Sequence, residues 1–377
     1  MRILIDARMY GLENTGIGRY ITNLLSELSK LEDGSHEYII LLPTKYFTSL
    51  SLGKHFKKVE ANYKHYTFAE QFFLPLEYFQ YRPDITHFPH FNVPIFYPGK
   101  YIVTIHDLLM HKQYGKNATT LPYLLYLIKR CGYKLAFHKA VHSSSKIVTP
   151  TNTVKKELLS EYKIDSNKVF PIYEGVSKVD SKLQPDKVLK KHNLYKNYII
   201  YTGNAYPHKN LERVIAAVAA LNAESYSSKH SGLEFAIVGA RGVFTKRLEQ
   251  LVAKYNAKGH IKLLGYVPDE ELSVLYSESL GFIYPSLTEG FGLPGLEAMS
   301  VGTLALVSKI PVFEEVYGKY AIYFDPYDIN SIIHAINKIQ KMSKKRRREK
   351  LEHNKMLLRR YSWHKMAMKT VKLYETK

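Results

Sequence analysis

Short runs rich in β-branched and aromatic residues alternate with longer segments of helical periodicity along the chain. This alternation is typical of parallel sheets with helices on both faces, so the predicted class is α/β. In the first half the pattern predicts strands at residues 2–7, 38–42, 85–88, 101–107 and 145–150, and helices at 16–31 and 121–144. In the second half it predicts strands at 198–203, 235–240, 261–266, 281–286 and 303–308, and helices at 209–222, 243–257, 269–279 and 293–301.

The two series are separated by residues 171–195, which are polar, contain two prolines and show no clear period. We therefore predict an N-terminal domain over residues 1–175, a linker over 176–195 and a C-terminal domain over 196–360. A chain of 377 residues also exceeds what one hydrophobic core usually serves. The amphipathic segment 361–377 is predicted to pack back on the first domain.

The amino-acid composition limits the kinds of molecule that the protein is expected to bind and the compartment in which it is expected to work. Lys and Arg number 54 against 34 acidic residues, a net charge of +20 that favours nucleic acid, an anionic membrane or phosphorylated small molecules. A single cysteine, Cys131, excludes a disulfide within the chain and favours a reducing compartment. No apolar run approaches the roughly 20 residues that span a bilayer, so we expect a cytoplasmic protein.

The most informative stretch runs from Tyr284 to Gly302, where a buried strand gives way to a glycine-rich loop and Pro294 marks a helix start. Free N–H groups at such a helix start favour a phosphate. Glu289 and Glu297 would repel that phosphate unless they bind neutral hydroxyls, such as those of a sugar and a ribose. Glu289 alone is equally typical of a solvated surface loop. Glu297 is followed by Ala298 and Met299 in an otherwise apolar helix, which argues against a solvated position. The two glutamates together with the loop glycines and Pro294 favour a binding role.

The stretch PSLTEGFGLPGLEAM, in which seven residues separate Glu289 from Glu297, resembles the signature of family 4 retaining glycosyltransferases. Residues 265–279 and 312–326 resemble the same family. The resemblance implies the GT-B fold, with two Rossmann-like domains facing each other across a cleft and a C-terminal helix that returns to the N-terminal domain. It also implies that Glu289 contacts hydroxyls of the transferred sugar and that Glu297 binds the ribose.

The resemblance further implies that backbone amides of Phe291, Gly292 and Leu293 meet the sugar and the diphosphate. The segment TGNAYPHKNLERV (202–214) resembles the family loop in which an arginine and a lysine hold the phosphates. Lys209 matches the lysine, whereas Asn204 stands where arginine is commoner. The side chains that could supply the missing charge are those of His208, Arg213 and Arg241.

We predict no metal and no cofactor beyond the donor, because no Asp-x-Asp pair occurs in the sequence and Lys209 with a helix start can neutralise a diphosphate. His87 and His90 have the spacing of metal ligands but lack a convincing third ligand, which favours a structural role.

Two positions in the first domain complete the predicted site. TGIGRY follows the first strand and resembles the family's glycine loop facing the donor, so we expect Gly16 to approach it closely, while Gly18 fits a tight turn equally well. His106 ends the strand at 101–107 and matches a family histidine that contacts the donor sugar near its reacting carbon. The predicted catalytic residues are His106, Lys209 and Glu289.

Together these features predict a retaining hexosyltransferase for cell-surface polysaccharide synthesis. The predicted donor is GDP-mannose or a UDP-hexose, and the acceptor is a glycan or a lipid-linked glycan. Residues 121–139 mix apolar and basic side chains, as a helix on the inner leaflet of an anionic membrane would, and equally as a core helix with a solvated basic face. The alternatives are a nucleotide-sugar epimerase of the same fold and, more remotely, a basic nucleic-acid-binding protein; we expect no nucleic-acid partner.

Overall fold

The computed structural model describes residues 1–112, 122–177, 180–195, 197–224, 232–239 and 243–376. The chain folds as two compact units. The first consists of Met1–Gly175 and Ser362–Lys377, and the second of Val176–Tyr361.

The first unit contains a seven-stranded parallel sheet in the order β3-β2-β1-β4-β5-β6-β7. Its strands are β1 (Arg2–Asp6), β2 (Glu37–Leu42), β3 (Phe56–Glu60), β4 (Ile85–Phe88), β5 (Tyr101–Thr104), β6 (Lys146–Thr149) and β7 (Val169–Pro171). Its helices, in chain order, are α1 (Thr15–Leu31), α2 (Thr44–Phe47), α3 (Phe68–Phe72), α4 (Leu74–Gln80), α5 (Leu109–Lys112), α6 (Tyr123–Ser143) and α7 (Asn152–Tyr162).

The second unit contains a six-stranded parallel sheet in the order β10-β9-β8-β11-β12-β13. Its strands are β8 (Tyr198–Thr202), β9 (Glu234–Val238), β10 (Ile261–Gly265), β11 (Gly281–Tyr284), β12 (Ala305–Ser308) and β13 (Ile322–Phe324). Its helices are α8 (Pro185–Lys191), α9 (Leu211–Glu224), α10 (Val243–Lys254), α11 (Asp269–Glu278), α12 (Leu293–Ser300), α13 (Pro311–Tyr317), α14 (Ile329–Gln340) and α15 (Lys344–Leu358).

The last helix, α16 (Trp363–Glu375), belongs to the first unit and packs on α1, as the sequence predicts. Its Tyr374 hydroxyl lies 2.7 Å from Nδ1 of His87, and Nζ of Lys146 donates to the carbonyl of Leu373 over 2.7 Å. Both contacts are buried, so the helix is an integral part of this unit.

The segment predicted as a linker, residues 176–195, contains the helix α8 and lies in the second unit. Pro185 occupies the first turn of α8, where a missing N–H costs nothing. Val188 and Leu189 are buried, and Nζ of Lys191 lies 2.6 Å from Oε1 of Glu271 in α11. Two apolar side chains in a single turn are too few to produce a visible period, which explains the missed helix.

Each sheet reverses its strand order once, between β1 and β4 in the first and between β8 and β11 in the second. Parallel sheets of this kind bind ligands beyond the carboxyl ends of the strands at that reversal. The loops after these four strands are therefore where a site is expected. Within the described ranges, no helix has the length and apolar character needed to cross a membrane.

Candidate active site

Lys209 and Glu289 form an ion pair at the reversal of strand order in the second sheet. Lys209 lies in the loop after β8, and Glu289 lies in the loop after β11. The ammonium nitrogen donates to Oε1 of Glu289 over 2.5 Å, and the two side chains are only 12% and 13% exposed. Two residues that the sequence assigns to one site from segments 80 positions apart are thus in direct contact.

The two loops are also joined through their backbones. The amide of Leu287 donates to the carbonyl of His208 over 2.8 Å. Asn210, buried and in the left-handed region at φ 57°, donates through Nδ2 to the carbonyls of Pro285 at 3.1 Å and Pro326 at 2.8 Å. The separation of Lys209 and Glu289 is therefore set by a hydrogen-bonded frame rather than by two free loops.

The Glu289 carboxyl is ionised at neutral pH. Burial by itself raises its pKa, but the charge of Lys209, with smaller contributions from His208 and hydrogen bonds, brings the pKa below its ordinary value. The phenols of Tyr201 and Tyr284 have pKa values well above 10, first because they are buried and then because Glu289 is negative. The ion pair thus stands among neutral aromatic side chains, and the Lys209 ammonium lies 5.6 Å from the Tyr284 ring centroid.

The helix α12 begins directly after this loop, with Gly292 as its N-cap at φ 104°. A Cβ at Gly292 would lie 2.9 Å from the Phe313 ring, and one at Gly295 would lie 2.3 Å from the Tyr317 hydroxyl. Both glycines are therefore required, and the Tyr317 hydroxyl donates to the carbonyl of Gly292. The close fit presents the first-turn amides of α12 next to Glu289, an arrangement suited to an anion.

The other residues predicted on this loop and helix are placed as follows. The side chains of Phe291 and Leu293 are buried, so their backbone is the part that could meet a donor. Phe291 packs edge-on against Tyr361, with 5.4 Å between ring centroids. Glu297 is partly buried in the second turn of α12.

Three side chains were predicted to supply the charge of the arginine that Asn204 replaces. His208 carries no charge at neutral pH, because burial and then the neighbouring Lys209 lower its pKa to about 4. Nη1 of Arg213 donates to Oδ1 of Asn210 over 2.6 Å, and Arg241 lies outside the described residues. Oδ1 of Asn204 and Nδ1 of His208 are buried and receive no hydrogen bond from any residue that the structure describes.

In the first unit, packing distinguishes the two predicted glycines. A Cβ at Gly18 would lie 1.8 Å from the carbonyl oxygen of Gly11, so the close approach of two chain segments requires glycine there. Gly16, in the first turn of α1, is exposed, and a Cβ there would meet no atom within 4 Å. Packing therefore requires glycine at position 18 and does not require it at position 16.

His106 follows β5 by two residues and is held by two oxygen atoms. Its Nε2 donates to the carbonyl of Pro89 over 2.9 Å, and its Nδ1 lies 3.4 Å from Oε1 of Glu174. Tyr20 packs edge-on against the ring at 4.9 Å between centroids. Burial lowers the pKa of His106, but Glu174, with smaller contributions from the Pro89 carbonyl and Asp107, raises it above 6.5.

The two histidines with ligand-like spacing have other partners. Nδ1 of His87 lies 2.7 Å from the Tyr374 hydroxyl and Nε2 lies 2.9 Å from Oγ1 of Thr104. Nδ1 of His90 lies 3.4 Å from the backbone N of Asn92. Among the residues that the structure describes, no three His, Cys, Asp or Glu side chains are grouped so as to hold a metal ion.

The sequence did not predict a buried ionic cluster at the reversal of the first sheet. Arg8 donates to both carboxylate oxygens of Asp6 at 2.8 and 2.7 Å and to Oε1 of Glu70 at 2.8 Å. Asp6 also accepts from the Tyr78 hydroxyl, and Glu70 accepts from Nδ2 of Asn92 at 2.7 Å. The one indication of this cluster in the sequence is the acidic Asp6 at the end of the apolar first strand.

Comparison with known proteins agrees with this architecture. The profile described as Glycosyltransferase Family 4 matches residues 14–178, and the one described as Glycosyl transferases group 1 matches residues 185–355. The O-antigen chain mannosyltransferase RfbU of Salmonella typhimurium is 32% identical over 215 residues, which are 57% of this chain and 56% of that protein. The Escherichia coli O-antigen chain mannosyltransferase B is 29% identical over 245 residues, 64% of this chain and 63% of that protein.

The chain thus matches less than two thirds of the length of either mannosyltransferase. Anabaena HepE, crystallised with UDP and glucose, superposes with a TM-score of 0.74 at 14% identity over 99% of both chains, a likeness of fold alone. The two family profiles cover the first and the second half of the chain in turn. The chain therefore belongs to the family 4 glycosyltransferases and has the GT-B fold that its sequence predicts.

Proposed function

We propose that this chain is a retaining hexosyltransferase that moves a sugar from a nucleotide-diphosphate donor to a hydroxyl of a glycan or lipid-linked acceptor in cell-surface polysaccharide synthesis. The observation that carries the proposal is the Lys209–Glu289 pair beside the first turn of α12, at the reversal of the second sheet. A cation and the amides of a helix start suit a diphosphate, and a largely buried carboxylate suits sugar hydroxyls. The names of the matched mannosyltransferases support a hexose as the group transferred.

In the proposed reaction, cleavage of the bond from the sugar carbon to the phosphate oxygen leaves an oxocarbenium-like centre and a departing diphosphate. Lys209 and the amides at Gly292 and Leu293 stabilise the negative charge that develops on the leaving group. The acceptor hydroxyl attacks from the face that the diphosphate leaves, which retains the configuration, and the leaving phosphate oxygen takes the hydroxyl proton. Glu289 holds the sugar, and Glu297 holds the ribose.

A donor bound in this way changes the partners of the ion pair. The diphosphate competes with the Glu289 carboxylate for the Lys209 ammonium, and the sugar hydroxyls then donate to Glu289. The pair therefore keeps both charges hydrogen-bonded in a largely buried position and holds them ready for the donor. A covalent sugar adduct on Glu289 during turnover would contradict this mechanism.

The donor is the first matter to test, and we propose GDP-mannose, with UDP-hexoses as the alternative. Melting temperatures should be measured with UDP, GDP, dTDP and ADP sugars in parallel. A ligand at about 100 times its Kd adds about 2.7 kcal/mol of stability, which is readily detected. The stabilising sugar nucleotide is then incubated with acceptor glycans, and the product is analysed for linkage and anomeric configuration. An epimerised sugar released without any acceptor would contradict the proposal.

We also propose that transfer needs no metal, because Lys209 and the α12 amides lie where a divalent ion would otherwise neutralise the diphosphate. Transfer rates should then be equal with EDTA and with added Mg²⁺ or Mn²⁺. Loss of transfer in EDTA, restored by either ion, would contradict this part of the proposal.

The helix α6 supports contact with the cytoplasmic leaflet of an anionic membrane. In its second half Phe137 and Val141 are buried, while Leu135 is 62% exposed. In its first half most side chains are exposed, with Leu124 at 73% and Ile128 at 62% exposure. Exposed apolar side chains next to exposed lysines are typical of a helix that lies on a membrane surface. The exposed apolar and basic side chains support the membrane interpretation, and the buried face of the helix belongs to the core.

Vesicle binding tests this contact. Lys129→Glu with Lys134→Glu should weaken binding to phosphatidylglycerol vesicles by about tenfold or more, since each basic residue at an anionic surface is worth about 1 kcal/mol. Lys344→Glu with Lys345→Glu, in the exposed basic helix α15, makes the same change in net charge and should leave binding unaltered. Equal loss in both double variants would show that net charge, not α6, determines the binding.

A further inference from the structure

His106 has a charged partner that neither its position after β5 nor the family motifs indicate. The carboxylate of Glu174 lies 3.4 Å from Nδ1, and both side chains are largely buried, 14% and 8% exposed. The other ring nitrogen, Nε2, lies 2.9 Å from the carbonyl of Pro89. Both ring nitrogens therefore face oxygen atoms.

These two oxygens decide the protonation of the ring. A backbone carbonyl can only accept a hydrogen bond, and so can an ionised carboxylate. A neutral imidazole carries one N–H and would turn a lone pair towards one of the two oxygens, whereas the imidazolium donates to both. The arrangement around His106 fits the imidazolium.

The backbone fixes Glu174 in place. It lies three residues after β7, and the following Gly175 packs against the first residue of α16. A Cβ at Gly175 would lie 2.1 Å from the backbone nitrogen of Trp363 and 2.4 Å from its Cγ. The start of the last helix therefore sets how close the Glu174 carboxylate comes to His106.

The titratable groups that face this ring come from several elements. They are Tyr20 of α1, His87 of β4, His90 and Asp107 in the loops after β4 and β5, and Glu174 after β7. Burial first, and then the charge of the ring, lowers the pKa of His87 and of His90 to about 3, so neither carries a positive charge at neutral pH. The two acids are thus the groups that favour a cation here, and Glu174 is the one that faces a ring nitrogen.

We propose that Glu174 is a positioning residue for sugar transfer, whose carboxylate holds His106 protonated and fixes its ring at the edge of the first sheet. The inference rests on the proposed function and on the catalytic role that the sequence predicts for His106. In this state both ring N–H groups are committed to the protein. His106 is then a fixed positive charge and is not the base that takes the acceptor proton.

Two measurements test this proposal together. The first is the pKa of His106 from the NMR titration of its ring Cε1–H, assigned with a His106→Asn variant. The second is kcat/KM for transfer between pH 6 and 9. In the unaltered chain, kcat/KM should fall as the pH rises through the His106 pKa, by about tenfold for each further pH unit. Glu174→Gln should lower that pKa and move the fall in kcat/KM to lower pH by the same amount.

Two variants serve as controls for these titrations. Glu174→Asp keeps the charge and should restore the profile in part. Glu37→Gln, which removes a half-exposed carboxylate on β2, should leave both titrations unchanged.

Each outcome decides the inference. A His106 pKa below 6.5 in the unaltered chain overturns the inference, and this measurement does not depend on the folding of any variant. A His106 pKa that Glu174→Gln leaves unchanged also overturns it. A lowered pKa with no movement of the kcat/KM profile also overturns it, because Glu174 would then be structural while transfer continues. A chain that transfers no sugar from any donor refutes the proposed function instead, and the NMR titration still decides whether Glu174 sets the protonation of His106.

Discussion

The two sheets share the same strand order up to the sixth strand, yet they carry different ionic groups where that order reverses. In the first sheet, Arg8 is held by two carboxylates, and each of these accepts further hydrogen bonds from neutral side chains. In the second sheet, Lys209 and Glu289 form an ion pair next to the first turn of α12.

We propose that this difference distinguishes a structural cluster from a binding site. The oxygens of Asp6 and Glu70 are occupied within the protein, so a ligand would have to displace several hydrogen bonds at once. In the proposed mechanism, Lys209 and Glu289 exchange their mutual contact for a phosphate and a sugar hydroxyl of the donor. On this proposal, one topology serves stability in the first domain and chemistry in the second.

The largest expected effect is on the stability of the first unit. Arg8→Met leaves Asp6 and Glu70 buried without a cation, which should lower the free energy of unfolding by about 3–5 kcal/mol. Denaturant titration followed by circular dichroism measures it. The control is Arg2→Met, which removes the cation of the exposed pair with Glu37 and should cost far less. Similar losses in both variants would contradict the distinction between the clusters.

The next effect is on transfer. Glu289→Gln should reduce kcat by about 10²–10³-fold, as the loss of one preorganised interaction with the reacting sugar does. Because it also frees Lys209 from its competing carboxylate, the affinity for the nucleoside diphosphate should stay the same or increase. Calorimetric titration with the diphosphate and a transfer assay separate the two quantities. Parallel loss of affinity and transfer would refute the assigned role.

Lys209→Met should weaken binding of the nucleoside diphosphate by about 1.5–3 kcal/mol, the usual worth of a hydrogen bond to a charged group. The nucleoside itself lacks the diphosphate and should bind the variant and the unaltered chain equally. Calorimetry with both ligands makes the comparison. An equal loss for the nucleoside would place Lys209 away from the phosphates.

Glu297→Ala should lower affinity for the nucleotide by about 1–2 kcal/mol while leaving kcat at saturating donor nearly unchanged, because a ribose contact is the same in the ground and transition states. The 2′-deoxy and 3′-deoxy nucleotides provide the matched test, since Glu297→Ala should bind them with the same affinity as the ribonucleotide. A fall in kcat as large as that of Glu289→Gln would contradict the division of roles.

The smallest effect is on acid stability. The folded-state pKa of Glu289 lies below its ordinary value, so its contribution to stability is complete above about pH 4.5 and is lost as the pH falls through the lowered pKa. The free energy of unfolding should therefore decline less steeply with falling pH below about pH 4.5 in Glu289→Gln. The difference in slope should be at most that contributed by the uptake of one proton. Urea titrations between pH 2.5 and 6 measure the slope, and an unchanged slope would contradict the lowered pKa.

The sequence predicts the second unit better than the first, for reasons visible in particular elements. β8, β9 and β11 are almost fully buried, and each contains a run of at least three consecutive apolar residues. The edge strand β3 carries Lys57 and Lys58, with Val59 as its buried residue, and was missed. β7 and β13 are three residues long, too short for any period to show.

The contact between Lys209 and Glu289 could be foreseen, because both follow strands whose carboxyl ends meet at one edge of a sheet. The contact between His106 and Glu174 could not be foreseen. It depends on how the backbone after β7 packs against Trp363, which no local pattern expresses. Glu70 was missed for a similar reason, since its helix α3 is only five residues long and its partners lie in the loops after β1 and after β4.

The most direct test of the central claim is a crystal structure of the chain with its stabilising sugar nucleotide. We predict that the diphosphate lies within hydrogen-bond distance of Nζ of Lys209 and of the first amides of α12. Hydroxyls of the sugar should donate to the Glu289 carboxylate, in place of its contact with Lys209. A nucleotide bound elsewhere, with the Lys209–Glu289 contact unchanged, would contradict the account.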